Sequence, residues 1–243
     1  MNDYARMKVP ELKALLGHRN LSQTGTKNDM IKRLQEDDAA DNHHSEDTSL
    51  EQPASLEVDI CPHGDVIMVL ANTRLHVSSA VLRSASPVFS AMFGPHFAEG
   101  QNLTERKPKK IKFPDDDPEG MKVLCGVLHH KFDVTETPNL EVLKEIAILV
   151  DKYDCSSAMF ATATLWLIHT RKKAQAVKYV GYQTLFGIAY LFNHAQAFYG
   201  ITQDLIIYHE GSFSKLEDPF DVVPSKFFVL LAEYRHASCN SFF

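Results

Sequence analysis

Between Glu36 and Asp59 the chain carries nine acidic residues and no lysine or arginine. The few apolar residues in that stretch follow no sustained helical or strand period. Like charges repel, and so little apolar surface cannot offset the entropy of ordering the backbone, so the composition predicts an acidic disordered linker over 36–59. No single core can run through it. The chain must fold as a short piece before the linker and a long piece after it.

The two pieces differ in charge. Residues 1–35 hold seven cations (Arg6, Lys8, Lys13, Arg19, Lys27, Lys32, Arg33) against three anions (Asp3, Glu11, Asp29), which makes a small basic module. The remainder is close to neutral and rich in periodic apolar runs, enough of a 243-residue chain with 44% hydrophobic residues to build a sizeable core. Cys61, Cys125, Cys155 and Cys239 lie far apart with no CxxC pair, against both a disulfide framework and a zinc site. No apolar run reaches the length of about eighteen residues that a membrane span needs, and the N-terminus lacks an apolar signal core, so the chain reads as intracellular.

In the basic module, PELKALLGHRN places Pro10 and Glu11 at a helix start, with Val9, Leu12, Leu15 and Leu16 on one stripe. Thr26-Lys27-Asn28-Asp29 reads as a capping box that opens a second helix, whose apolar face is Met30, Ile31 and Leu34. About thirty-five residues bury too little surface to enclose a catalytic cavity, so the module's use is binding on its outer face. A lysine opposes the helix dipole at an N-terminus, and Lys27 stands there all the same. Its position makes sense if an anion is bound: backbone N–H groups at the helix start, close approach allowed by Gly25, and the Lys27 ammonium together fit a phosphate.

Through KVPELKALL, the loop LSQTGTK and DMIKRL, this segment resembles the SAP motif, a helix, loop and helix found in chromatin and RNA-processing proteins. The resemblance implies binding to nucleic-acid backbone, DNA before RNA, with Gly25, Thr26 and Lys27 at the matching loop positions and Lys32 and Arg33 on the matching helix.

Beyond the linker, GDVIMVL and NTRLHVS read as two strands of a hairpin turning at Ala71-Asn72, with Leu75 and Val77 facing inward. Ser78 or Ser79 caps a short helix, Ser86-Pro87 opens another, and KIKF is a third strand. Helices then start at Asp117-Pro118, Asn139 and Ser156, the last running to about His169. A further pair breaks near Asn193, one helix stops before Gly211, and Pro224 opens the final one.

The runs GDVIMVL, TRLHVSSAVLRSASPVFSAMFGPHFAEG, IKFPDDDPEGMKVLCGVLHH and LVDKYDC resemble a BTB/POZ domain of the type abundant in filamentous fungi. The resemblance implies a small mixed sheet flanked by helices, a protein-interaction module that often forms homodimers and performs no catalysis. The expected organisation is α+β: a SAP-like helix-loop-helix at 1–35, the linker at 36–59, a BTB/POZ domain at 60–170 and a C-terminal helical extension at 171–243.

Nothing in the sequence gives a cofactor, a metal or a catalytic group. His43-His44 sit in the linker, and His129-His130 are neighbours that face different ways on a helix. Asp65, His76 and Ser78 can be written as a triad, but no nucleophile elbow accompanies them. Arg106-Lys107-Pro108-Lys109-Lys110 is a solvated loop before the third strand, or else a nuclear localisation signal or a patch that binds nucleic-acid backbone. The function these features support is a non-enzymatic adaptor in the nucleus, or shared between nucleus and cytoplasm, with DNA or RNA bound by the first module and proteins, including a second copy, by the BTB body. The alternative is a substrate adaptor of a cullin-type ubiquitin ligase. Neither a membrane nor a small-molecule substrate is expected as a partner.

Overall fold

The computed structural model describes residues 16, 26–34, 56–133, 135–177, 181–213, 220 and 222–240. It divides into two compact units, Met1–Pro53 and Ala54–Phe243. In the first, helix α1 spans 27–34, and Leu16, Met30 and Leu34 are buried as its core.

The second unit is built on a four-stranded mixed sheet with strand order β1-β3-β2-β4. Strands β2 (Val66–Leu70) and β3 (Thr73–Val77) form the expected hairpin, antiparallel with Val66 opposite Val77. Its turn holds Ala71 at a φ of 31°, a left-handed value that L-residues adopt at some cost. Val66, Met68, Leu70, Leu75 and Val77 are fully buried on one face, while Ile67, Val69, Arg74 and His76 are half-buried on the other, the period of two that side chains alternate with along a strand. Gly64 lies so close to the hairpin that a Cβ there would stand 2.3 Å from the Val77 carbonyl oxygen. Only glycine fits that contact without moving the backbone.

Strand β4 (Lys109–Lys112) runs parallel to β2 at one sheet edge, and β1 (Leu56–Asp59) runs parallel to β3 at the other. Residues 56–59, expected as the end of the linker, are instead a strand of the sheet. Leu56 and Val58 share the face of Thr73 and Leu75, whereas Glu57 and Asp59 point the other way to Arg74 and His76. The acidic count hid this short alternation.

The helices follow in the expected order: α2 (Ser79–Ala85), α3 (Pro87–Met92), α4 (Pro118–Leu128), α5 (Leu140–Lys152), α6 (Ser156–Ala176), α7 (Tyr182–Leu191), α8 (Ala195–Tyr208) and α9 (Lys226–Asn240). Ser86, Asp117 and Asn139 each accept an N–H three residues on, the N-caps that the sequence signals. For α2 the side chain of Ser78 makes no cap. Instead Asp65, just before β2, accepts from the Ser79 N–H at 2.7 Å and its Oγ at 2.6 Å.

Helix α4 is the centre of the unit, with eight of its eleven residues buried. It packs against α5, which packs in turn on α7, and α8 joins α7 to α9. One continuous core runs from Ile60 through Trp166 to Leu231, so the C-terminal helices share it with the sheet. Helix α6 runs seven residues past the expected end at His169, because its last turns carry Arg171 and Gln175 to Asp204 on α8.

Candidate functional site

In the first unit the structure describes Thr26, Lys27, Lys32 and Arg33 of the expected nucleic-acid site, and Gly25 lies outside the described residues. Thr26 is the N-cap. Its N–H and its Oγ1 both donate to the Asp29 carboxylate at 2.8 Å, and the Asp29 N–H points back to Thr26 Oγ1 at 3.4 Å. This is the capping box read from the sequence, with aspartate in the place that glutamate more often takes. The side-chain hydrogen bond from Thr26, followed by its backbone one, holds the Asp29 carboxyl below the usual carboxylate range.

Two consequences follow for an anion at this helix start. The amides of Thr26 and Asp29 already have partners within the box, and the Asp29 carboxylate puts a negative charge at the helix start, where Arg33 and Lys32 act on it. The seat is therefore narrower than four open amides. Successive residues of a helix are rotated by about 100°. Lys32 thus lies opposite the buried Met30–Leu34 stripe and is exposed, while Lys27 and Arg33 flank that stripe on opposite sides and are half-buried. The outer half of α1 holds Lys32 and Arg33 together, whereas Lys27 acts from the helix start.

In the second unit the paper triad dissolves. Asp65 is spent on capping α2, and His76 places Nε2 2.8 Å from the Gly64 carbonyl oxygen and Nδ1 3.2 Å from Asp59. Ser78 offers its backbone N–H to His129 Nε2 at 3.0 Å, and His129 Nδ1 lies 2.8 Å from the Cys125 carbonyl oxygen. That pair of contacts fixes one neutral tautomer, with the proton on Nδ1. The imidazole joins the end of α4 to the start of α2.

Burial holds His129 below the ordinary histidine range, with neighbouring His130 adding to the effect. The unfolded chain therefore takes up a proton at a higher pH than the folded one, so stability is full above about pH 6.5 and falls as the pH drops below it. Thermal unfolding midpoints between pH 7.5 and 5 should show this decline, with a shallower slope for His129→Gln. An equal slope in both proteins would remove His129 as the cause.

Two clefts in the helical region resemble sites by size. One of about 500 Å³ is lined by Asp151, Asp154 and His194, among others. Both ring nitrogens of His194 are engaged, Nδ1 accepting from the Ala197 N–H at 3.1 Å and Nε2 meeting Thr164 Oγ1 at 2.8 Å, and its ring stacks on Phe160. The other, of about 650 Å³, contains Asp204. Arg171 grips that carboxylate with two hydrogen bonds of 2.7 and 2.9 Å, while Gln175 and the Tyr182 hydroxyl donate at 3.0 and 2.5 Å. Asp116, buried near the end of α5, accepts from Lys152 at 2.5 Å and from the Tyr153 hydroxyl. Each of these polar centres joins elements of the fold. Among the described residues no group of histidine, cysteine and acidic side chains could hold a metal ion, and no helix is long and apolar enough to cross a membrane.

Two family models match the chain in order: the SAP domain over residues 3–39 and the BTB/POZ domain over residues 61–162. No curated protein matches it. The chain carries a SAP domain followed by a BTB/POZ domain, one a nucleic-acid-binding module and the other a protein-interaction module, both non-catalytic.

Proposed function

We propose that this protein is a non-enzymatic adaptor acting in nuclear, chromatin-associated regulation, holding DNA through its SAP domain while its BTB/POZ body gathers proteins. The observation that carries the reading is the pairing of these two domain classes on one chain, in separate compact units. Lys27 at the start of α1, with Lys32 and Arg33 on its outer half, supplies the cations for phosphate contacts. Such contacts fix position without reading sequence, and a handful of them binds weakly. Joining several weak contacts through self-association of the body raises the effective affinity on the order of a hundredfold.

The test is retention of the whole protein on immobilised duplex DNA across a salt series. Lys27→Glu suits it because an acidic residue in the first turn favours the helix dipole, so the module's folding is not the casualty. The variant should elute at lower salt, with the log–log salt slope reduced by about 0.9, one phosphate contact. Elution identical to that of the parent protein would refute Lys27 as a DNA contact.

A further inference from the structure

Among the described residues β1 and β4 are the two edge strands of the sheet, with no further strand paired to either, and they carry opposite charge. On β1 the residues facing away from the core, Glu57 and Asp59, are exposed acids, and on β4 Lys110 and Lys112 are exposed cations. Among the described residues neither of these lysines has an ion-pair partner. Charges placed on edges only to prevent pairing work with one sign, since equal edges repel every copy. Opposite signs repel β1 from β1 and β4 from β4 but leave β1 free to meet β4.

The backbone has the phase that such a meeting needs. The amides of Lys109 and Phe113 donate to Asp65 and Val69 on the β2 side at 2.9 Å, so the backbone groups of Lys110 and Lys112 point outward. The amide of Leu56 donates to Asn72 beside β3 at 2.8 Å, so those of Glu57 and Asp59 point outward on the other edge. β1 is parallel to β3, β3 is antiparallel to β2, and β2 is parallel to β4. A second copy in the same orientation therefore brings its β1 antiparallel to β4 of the first.

We infer that copies of this chain join head to tail by adding β1 of one to β4 of the next, with Lys110 opposite Asp59, Ile111 opposite Val58 and Lys112 opposite Glu57. In this register the outward backbone groups of Lys110 and Lys112 exchange hydrogen bonds with those of Asp59 and Glu57. The same register sets each ammonium directly across from a carboxylate, the favourable cross-strand arrangement. It also brings Leu56, 55% exposed, beside Phe113 on the core face. The carboxylates' existing partners, Arg74 at 3.1 Å and His76 at 3.2 Å, leave this possible because Glu57 and Asp59 are 73% and 59% exposed. Such an interface uses different surfaces on the two partners, so it extends into a row or closes as a ring and does not make a two-fold dimer.

Sedimentation of the full chain without DNA, over a concentration series at low and high salt, tests the assembly. At low salt the average size should rise past that of a dimer, and salt should reverse it. K110E/K112E and E57K/D59K should each stay monomeric to a concentration about tenfold higher or more, because like charges then face each other. The fourfold variant that exchanges both edges should assemble again, which a merely misfolded protein cannot do. Three results overturn the inference: a wild-type protein that never exceeds a dimer, edge variants that assemble as the parent does, or a fourfold variant that is folded by circular dichroism and still monomeric. Loss of DNA retention in K110E/K112E with unchanged size would give the β4 cations to nucleic acid and overturn it equally.

Discussion

An Asp204→Ala protein should lose about 2–4 kcal/mol of stability in urea unfolding followed by circular dichroism, the range for removing one partner of a largely buried, hydrogen-bonded ion pair. Asp204 is 7% exposed and accepts hydrogen bonds from three side chains on two other elements, Arg171 and Gln175 at the end of α6 and Tyr182 at the start of α7. Removing the carboxylate leaves the guanidinium without its anion in a partly covered site. Burial works against the charged form, but the donors from Arg171, Tyr182 and Gln175 prevail and hold Asp204 below the usual carboxylate range. Its folded pKa is thus depressed, so the contribution is present above about pH 3.8 and fades as acid protonates the folded state. Asp204→Asn should fall between parent and alanine variant. A loss below about 0.5 kcal/mol in the alanine variant would show that the clasp is as weak as a surface pair.

Phe89→Ala should cost more, about 3–5 kcal/mol, as for other fully enclosed aromatic side chains cut to alanine. Phe89 is completely buried on α3 and stacks on Tyr153 at a centroid distance of 4.3 Å and on Phe93 at 5.8 Å. Its N–H donates to the Ser86 side chain, whose hydroxyl in turn donates to the Tyr153 carbonyl at 2.5 Å. Ring, cap and carbonyl together tie α3 to the end of α5. The neighbouring Val88, 37% exposed on the same helix, is the control, and Val88→Ala should change the urea midpoint little. Similar midpoints for the two variants would show that the ring stack is not what holds α3 down.

Most of the fold was legible because its signals are local. The hairpin announces itself by alternation, and Ser86, Asp117 and Asn139 are caps whose partners lie three residues away. What escaped depends on distant partners. Asp65 caps a helix fourteen residues on, and Asp204 draws its donors from 22 to 33 residues away, spacings for which no sequence pattern exists. Strand β1 escaped because two apolar residues in four are too few to stand out against nine acids. At the SAP site the capping box was readable from Thr26 and Asp29, but not that its own hydrogen bonds would use two of the amides an anion needs. The opposed charges of the sheet edges could be seen only once strand order was known.

Helix α6 begins in the region matched by the BTB/POZ model, which stops at residue 162, and continues unbroken to Ala176. Trp166 and Leu167, beyond that stop, are buried, and the indole N–H reaches the Glu136 carbonyl at 3.1 Å. An excised fragment ending where the family match ends would sever a helix in mid-course and strip the lid from its own interior. Anyone wishing to prepare this body separately should keep every residue from 54 to the last helix.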